Sequence, residues 1–445
     1  MTYRKIILIL IATFAMVSGS RGLLLINQKA ISPAPSALST DLENTGSAPG
    51  MKTTDEMIEF WQGRFERNPR DFISVTFLAD AYIRKARETG DVNEYERADA
   101  ALQKALSIHP NYDVAQAYLS TVRYVQHDFQ GALNLASQVY TAHPNAIGAL
   151  ATMGDANLEL GNYGEAEFAY KKLAEKSQSA AIYMRLARLA WLHGKPGEAL
   201  TWMEQATIDS DKTGLLDENS AWYHFQLGEL NFNTNHLPLA EEQYSIALKS
   251  FDRYYLALAG MGKVRAAEGR YSEAIEYYEE AVAIIPQPDL LSALGDLYMA
   301  TGSPDKAKYE YDTVEFIGKL QAINKVIYNR QLALFYANHD RNLEESLQLA
   351  QNELAHRKDI YAYDTYAWAL YKNGHYAKAA DVMQQSLKLG TQDAMLYYHA
   401  GMIYKSLGDN VQAQTMLSKA LSINPHFDLV QACIAKSTLL QLQIK

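Results

Sequence analysis

Small and apolar residues return along this chain at helical spacing, in sets that recur one after another. Ala274, Tyr278, Ala281 and Pro286 stand at the same offsets as Ala413, Leu417, Ala420 and Pro425, and as Ala98, Leu102, Ala105 and Pro110. Gaps of three and four residues put the apolar members of each set on one face of a helix. Each set follows a segment with a Gly or Ala and usually an aromatic residue, such as Met261-Gly262 or Leu294-Gly295. A period of about 34 residues holds two helices and a turn, and such a hairpin cannot bury its apolar stripe alone. The units must therefore stack. An all-α solenoid follows, with its function on the surfaces of the array rather than in a catalytic cleft.

The pattern starts with Thr53-x-x-Glu56, a capping box opening a helix to about Arg67. Met57, Trp61 and Pro69 fill second-helix positions there, so this is a half-repeat. About ten full units follow, from Phe72 to Pro425, and an apolar helix from Leu429 onward caps the end. Gly269 and its equivalents stand where a first helix must end in a left-handed residue, and Pro286 where a second helix must stop. Regularity fails after the first, fourth and seventh units and in the eighth. Arg84 to Glu96 is too long for the period, so either the two helices are lengthened or a loop protrudes near Gly90. Asp209 to Asn219 reads as a surface insertion.

These positions match Trp-x2-Leu-Gly-x2-Tyr…Ala-x3-Phe…Pro, and the chain resembles tetratricopeptide-repeat proteins from Thr54 to Pro425. The resemblance implies a right-handed superhelical α-solenoid of antiparallel helix pairs. It also implies a concave face, lined by first helices, that holds proteins or peptides. On that geometry the candidate partner-binding residues are Arg185, Arg188, Trp191, Trp222, Phe225, Glu229 and Phe232 in the fourth and fifth units. Lys263 and Arg330 come next, then Asp364, Trp368, Tyr371, Tyr398 and Met402 in the ninth and tenth. Aromatic and Arg clusters dominate binding energy in grooves. Replacing Trp191 and Trp222 by Ala is expected to weaken a partner and leave the helical circular dichroism intact. The Lys and Asn pattern of the family's carboxylate clamp has no counterpart at matching positions.

Charge narrows the partner. A net charge of −10 weighs against a broad nucleic-acid surface, and against the related pentatricopeptide arrays that bind RNA. Cys433 is the single cysteine, so neither an intramolecular disulfide nor a Cys-based metal site can form. Its apolar helix suggests a buried structural thiol.

Residues 1–26 carry Arg4 and Lys5, an apolar run from Ile6 to Val17, and then small residues. That order fits a cleaved secretory signal. Residues 6–26 also suffice for a retained membrane anchor. Either way the repeats are expected outside the membrane, periplasmic or extracellular. Residues 27–53 read as a disordered linker, 54–427 as the solenoid and 428–445 as the capping helix.

Catalytic and cofactor motifs are missing: no His-Glu-x-x-His, no phosphate-binding loop and no Gly-x-Ser-x-Gly. Asp80, Asp155, Asp296 and Asp364 recur about once per unit, which suits structural periodicity better than one acid–base site. The sequence reads as a non-enzymatic scaffold for protein or peptide partners, with no cofactor or metal and an unspecified oligomeric state. The alternative is an accessory subunit of an envelope polysaccharide or secretion enzyme complex.

Overall fold

The computed structural model describes residues 53–444, apart from 92, 213, 215 and 324–329 and the side chains of 321–323. The export or anchor segment at 1–26 and nearly all of the linker lie outside the described residues. Among the described residues there are 22 helices and no strand.

A leading helix, Thr54–Arg67, packs on the first repeat, Phe72–Thr89 and Asn93–Ile108. Repeats two to five are Asp113–Val125 with Phe129–Ala142, Ile147–Glu159 with Tyr163–Lys176, Ala180–Leu192 with Pro196–Asp211, and Glu218–Asn233 with Leu237–Ser250. Repeats six to ten are Tyr255–Ala267 with Tyr271–Ile284, Pro288–Ala300 with Pro304–Ile323, Arg330–Asn338 with Leu343–His356, Ile360–Lys372 with Tyr376–Leu387, and Ala394–Ser406 with Asn410–Ile423. Gln431–Gln443 closes the array. The capping box at Thr53 and Glu56 is present in both its hydrogen bonds. In the first repeat the extra residues lengthen both helices, which meet at the left-handed Gly90.

Packing within a hairpin uses one device repeatedly. Gly154, Gly228, Gly262 and Gly295 each face a Tyr ring of the following helix: Tyr170, Tyr244, Tyr278 and Tyr311. A Cβ at any of these glycines would overlap the ring. The small residue therefore makes the socket and the Tyr fills it, and all four rings are buried. Gly401 receives Leu417 in the same way.

The array also closes on itself. The Lys358 amide donates to the Glu159 carbonyl at 2.8 Å, and the Ile360 amide to the Tyr163 hydroxyl at 2.9 Å. Thr391 donates to the Leu192 carbonyl, and Asn424 Nδ2 to the Phe232 carbonyl at 2.8 Å. The three side-chain bonds join residues 197, 199 and 192 positions apart. The turns inside repeats three, four and five thus meet the loops after repeats eight, nine and ten. Gly90 of the first repeat meets Ile285 after the sixth, with the same five-repeat offset. One superhelical turn takes about five repeats, and successive turns touch.

Backbone approach is close enough to restrict residue type. A Cβ on Gly161 would overlap the Lys358 carbonyl, and one on Gly194 the Gly390 carbonyl. A buried ionic chain crosses the same seam. Glu159 pairs with Arg188 at 2.5 Å and Arg357 at 2.9 Å. Arg357 reaches Glu353 at 3.3 Å, and Arg330 bridges Glu353 and Asp359 at 2.9 and 3.1 Å. Charges this deep persist only when paired, and their pairing requirement fixes which surfaces meet.

Candidate functional site: the concave face and its central cavity

First helices line the inside of the superhelix, and the acid that follows three of the socket glycines, Gly154, Gly228 and Gly295, has a defined job there. The Tyr170 hydroxyl donates to Asp155, Tyr244 to Glu229 and Tyr311 to Asp296, each at 2.7 Å. A base from a later repeat completes each pair. Arg185 donates to Asp155 at 2.7 Å, Lys263 to Glu229 at 2.7 Å, and His339 Nε2 lies 2.9 Å from Asp296. His399 Nδ1 stands 2.8 Å from Asp364 in the same manner. The recurring aspartates are therefore anchors for tyrosines and for neighbouring repeats, spread along the array.

Protonation follows from these contacts. Burial opposes ionisation of Glu159, yet Arg357 and Arg188 hold its carboxyl well below the usual carboxylate range. Burial works against the His339 imidazolium, but the hydrogen bond and charge of Asp296 raise its pKa. Burial, reinforced by Arg357, pulls His127 down to about 3. Burial and then the Asp155 charge push the Tyr170 hydroxyl far up.

The candidate residues divide into two groups. Arg188, Trp191, Phe225, Glu229, Phe232, Lys263, Arg330 and Asp364 line one cavity of about 720 Å³ inside repeats four to ten. Arg185, Trp222, Trp368, Tyr371, Tyr398 and Met402 do not. Trp222 is 1% exposed and packs edge-on against Tyr223 in the core. Trp368 is sandwiched by Tyr371 and His399, with ring centroids at 4.7 and 4.0 Å, and its Nε1 donates to Asn338. Tyr398 and Met402 are buried beside it. Trp191 serves the superhelical seam as well as the cavity, because its Nε1 donates to Tyr361 at 3.0 Å. An alanine at Trp191 or Trp222 thus removes packing before it removes a binding surface.

Sequence reasoning missed Tyr361, the stretch from Asn424 to Cys433, and Lys436, all of which line the cavity. It also missed Arg357 and Glu159, the centre of the seam. No local signal marks them, since partners so far apart in sequence share no spacing. Cys433 corrects an expectation: it is exposed, and it lies on the wall of the cavity. Among the described residues no group of three or more His, Cys, Asp or Glu could hold a metal ion. No described helix is long and apolar enough to cross a membrane.

Models of the tetratricopeptide repeat match residues 79–112, 151–212, 225–289, 265–316 and 395–427. The chain belongs to the tetratricopeptide-repeat proteins. Among relatives of this tetratricopeptide-repeat protein, the Protein O-mannosyl-transferase TMTC1 of Homo sapiens is 26% identical over 227 residues, 49% of this chain and 25% of that one. A TPR repeat-containing protein of Methanocaldococcus jannaschii is 22% identical over 285 residues, 60% of this chain and 48% of that one. The chain thus spans a quarter and about half of the lengths of these relatives. Yeast Tom70 aligns with 92% of this chain and 96% of its own at 12% identity and a TM-score of 0.35. YrrB, a TPR protein with an unusual peptide-binding site, aligns with 43% of this chain and 96% of its own at 18% identity and a TM-score of 0.30.

Proposed function

We propose that this tetratricopeptide-repeat protein is a non-enzymatic scaffold that takes protein or peptide partners inside its superhelix, and that residues 1–26 export it or anchor it with the repeats outside. The observation that carries the first part is the cavity. Its volume of about 720 Å³ is of the size small pockets and peptide grooves occupy. Its walls combine aromatic rings, Trp191, Phe225, Phe232 and Tyr361, with charges from Lys263, Glu229 and Asp289. Rings supply buried area and a few charges supply orientation, which is the composition of a binding surface.

Crosslinking with mass spectrometry in the native cell tests this. Partner peptides are expected attached to Lys263 or Lys436, both on the cavity wall. Partners attached only to lysines of the second helices, such as Lys171 and Lys249, would contradict an internal site. Protease accessibility of the repeats in intact cells, with and without residues 1–26, tests the export reading. Loss of exposure on deletion is expected, and repeats that stay protected in the full chain would refute it.

A further inference from the structure

After the tenth repeat the chain turns into the bore instead of leaving along the outside. Asn424 is fully buried, and its side chain pins this turn to the Phe232 carbonyl in the fifth repeat. The Phe427 ring then lies 5.5 Å from Tyr398 in the tenth repeat. Leu429 packs on the core cluster of repeats six to eight. Asp428 stands between them on the cavity wall and accepts from the Val430 and Gln431 amides at 2.9 and 2.8 Å, starting the last helix. One short non-helical stretch therefore contacts the fifth repeat, the cluster of repeats six to eight and the tenth repeat from the inside. Phe427 and Leu429 are only half-buried, so each is held by part of its surface.

We propose that residues 424–430 are an internal ligand of the bore. The partner is then a peptide with the same order of side chains, aromatic, acidic and aliphatic, which binds by displacing Phe427 and Leu429. This rests on the cavity being the partner site. The bore's accommodation of this stretch gives the partner's chemistry, because whatever fits these contacts from outside competes with them. A segment tethered in cis acts at an effective concentration of about a millimolar, so half-buried contacts suffice to hold off a weak partner and still yield to a good one.

The test uses a fluorescein-labelled peptide with the sequence of residues 423–431, titrated by fluorescence anisotropy. It is added to the full chain and to the full chain carrying Phe427→Ala and Leu429→Ala. The double variant is expected to bind the peptide at least about tenfold more tightly than the native chain. A peptide with the same two alanines is expected to bind neither. A folded variant, judged by helical circular dichroism, that binds no better than the native chain overturns the proposal. A measurement on the native chain guards against a variant that does not fold. Cys433 is the sole thiol, is exposed and lines the cavity beside this segment. Millimolar peptide is expected to change its alkylation rate as the segment is displaced, and an unchanged rate overturns the proposal. If a cellular partner cross-links to the bore with equal affinity for native and variant chains, the scaffold reading stands and the internal ligand falls.

Discussion

Gly194 and Gly408 occupy equivalent turns and have the same left-handed backbone, yet they carry different loads. Gly408 has open space around a hypothetical Cβ, whereas Gly194 lies against the Gly390 carbonyl across the superhelical seam. Gly408→Ala is expected to lower stability by about 1 kcal/mol, the backbone term alone. Gly194→Ala is expected to lower it by clearly more, because backbone and not a flexible side chain must give way. Thermal or urea unfolding of the two variants measures the difference, and equal losses would mean the seam is not in contact. The turn glycines were legible in the sequence as helix terminators. Their second role was not, since a Gly that faces a carbonyl and one that faces water are the same letter.

His127 ties the same seam to pH. It caps the first helix of repeat two in a left-handed conformation and stacks on Phe129, with Arg357 and Arg330 nearby and Glu159 partly offsetting them. With a folded pKa of about 3 against 6.5 unfolded, the unfolded chain binds the proton first as pH falls. The contribution of His127 to stability is therefore full above pH 6.5 and declines as pH drops toward 3. Glu159, held ionised by its arginines, declines in the same direction but only below its ordinary value of 4.5. His127→Asn is expected to flatten the unfolding curve between pH 6.5 and 4.5 and to leave the loss below 4.5 in place. An unchanged slope between 6.5 and 4.5 would remove His127 from the account.

At the scale of helices, the reading from sequence was at its best. The hydrophobic period located ten hairpins, the half-repeat and the last helix, because amphipathic spacing, caps and stops are all local. The socket glycines and their tyrosines were visible as small and aromatic positions. The hydroxyl bonds of Tyr170, Tyr244 and Tyr311 to the acid beside their glycine were not, because that requires knowing which face of the second helix meets which face of the first. Trp222 shows the consequence. Counting along its helix put it on the concave face with Phe225, Glu229 and Phe232; those three line the cavity, and Trp222 is buried in the core. Trp222→Ala is expected to cost about 3–5 kcal/mol in urea unfolding, the range for a large buried aromatic. A loss under about 1 kcal/mol would return Trp222 to an open surface.

At the scale of the molecule, the decisive feature is that the superhelix closes on itself about every five repeats. Closure converts an expected open groove into a cavity, takes Arg188, Trp191 and Arg330 into the seam, and brings the segment after the tenth repeat inside. None of this was legible in the sequence, because curvature is the sum of small rotations between many repeats. The candidate residues of repeats four to six, Arg185 and Trp222 excepted, line the cavity, whereas the aromatic cluster of repeats nine and ten holds those repeats together and, of the candidates there, only Asp364 reaches the cavity.

The most direct test of closure is a distance between its two sides. Spin labels at Lys195 and Gln392, on either side of the contact between Gly194 and Gly390, in a chain with Cys433→Ser, report that distance by pulsed electron resonance. A single short and narrow distance is expected, lengthening when Glu159→Gln and Arg357→Gln break the seam. A long or broad distribution in the unbroken chain would show an open superhelix and contradict the account.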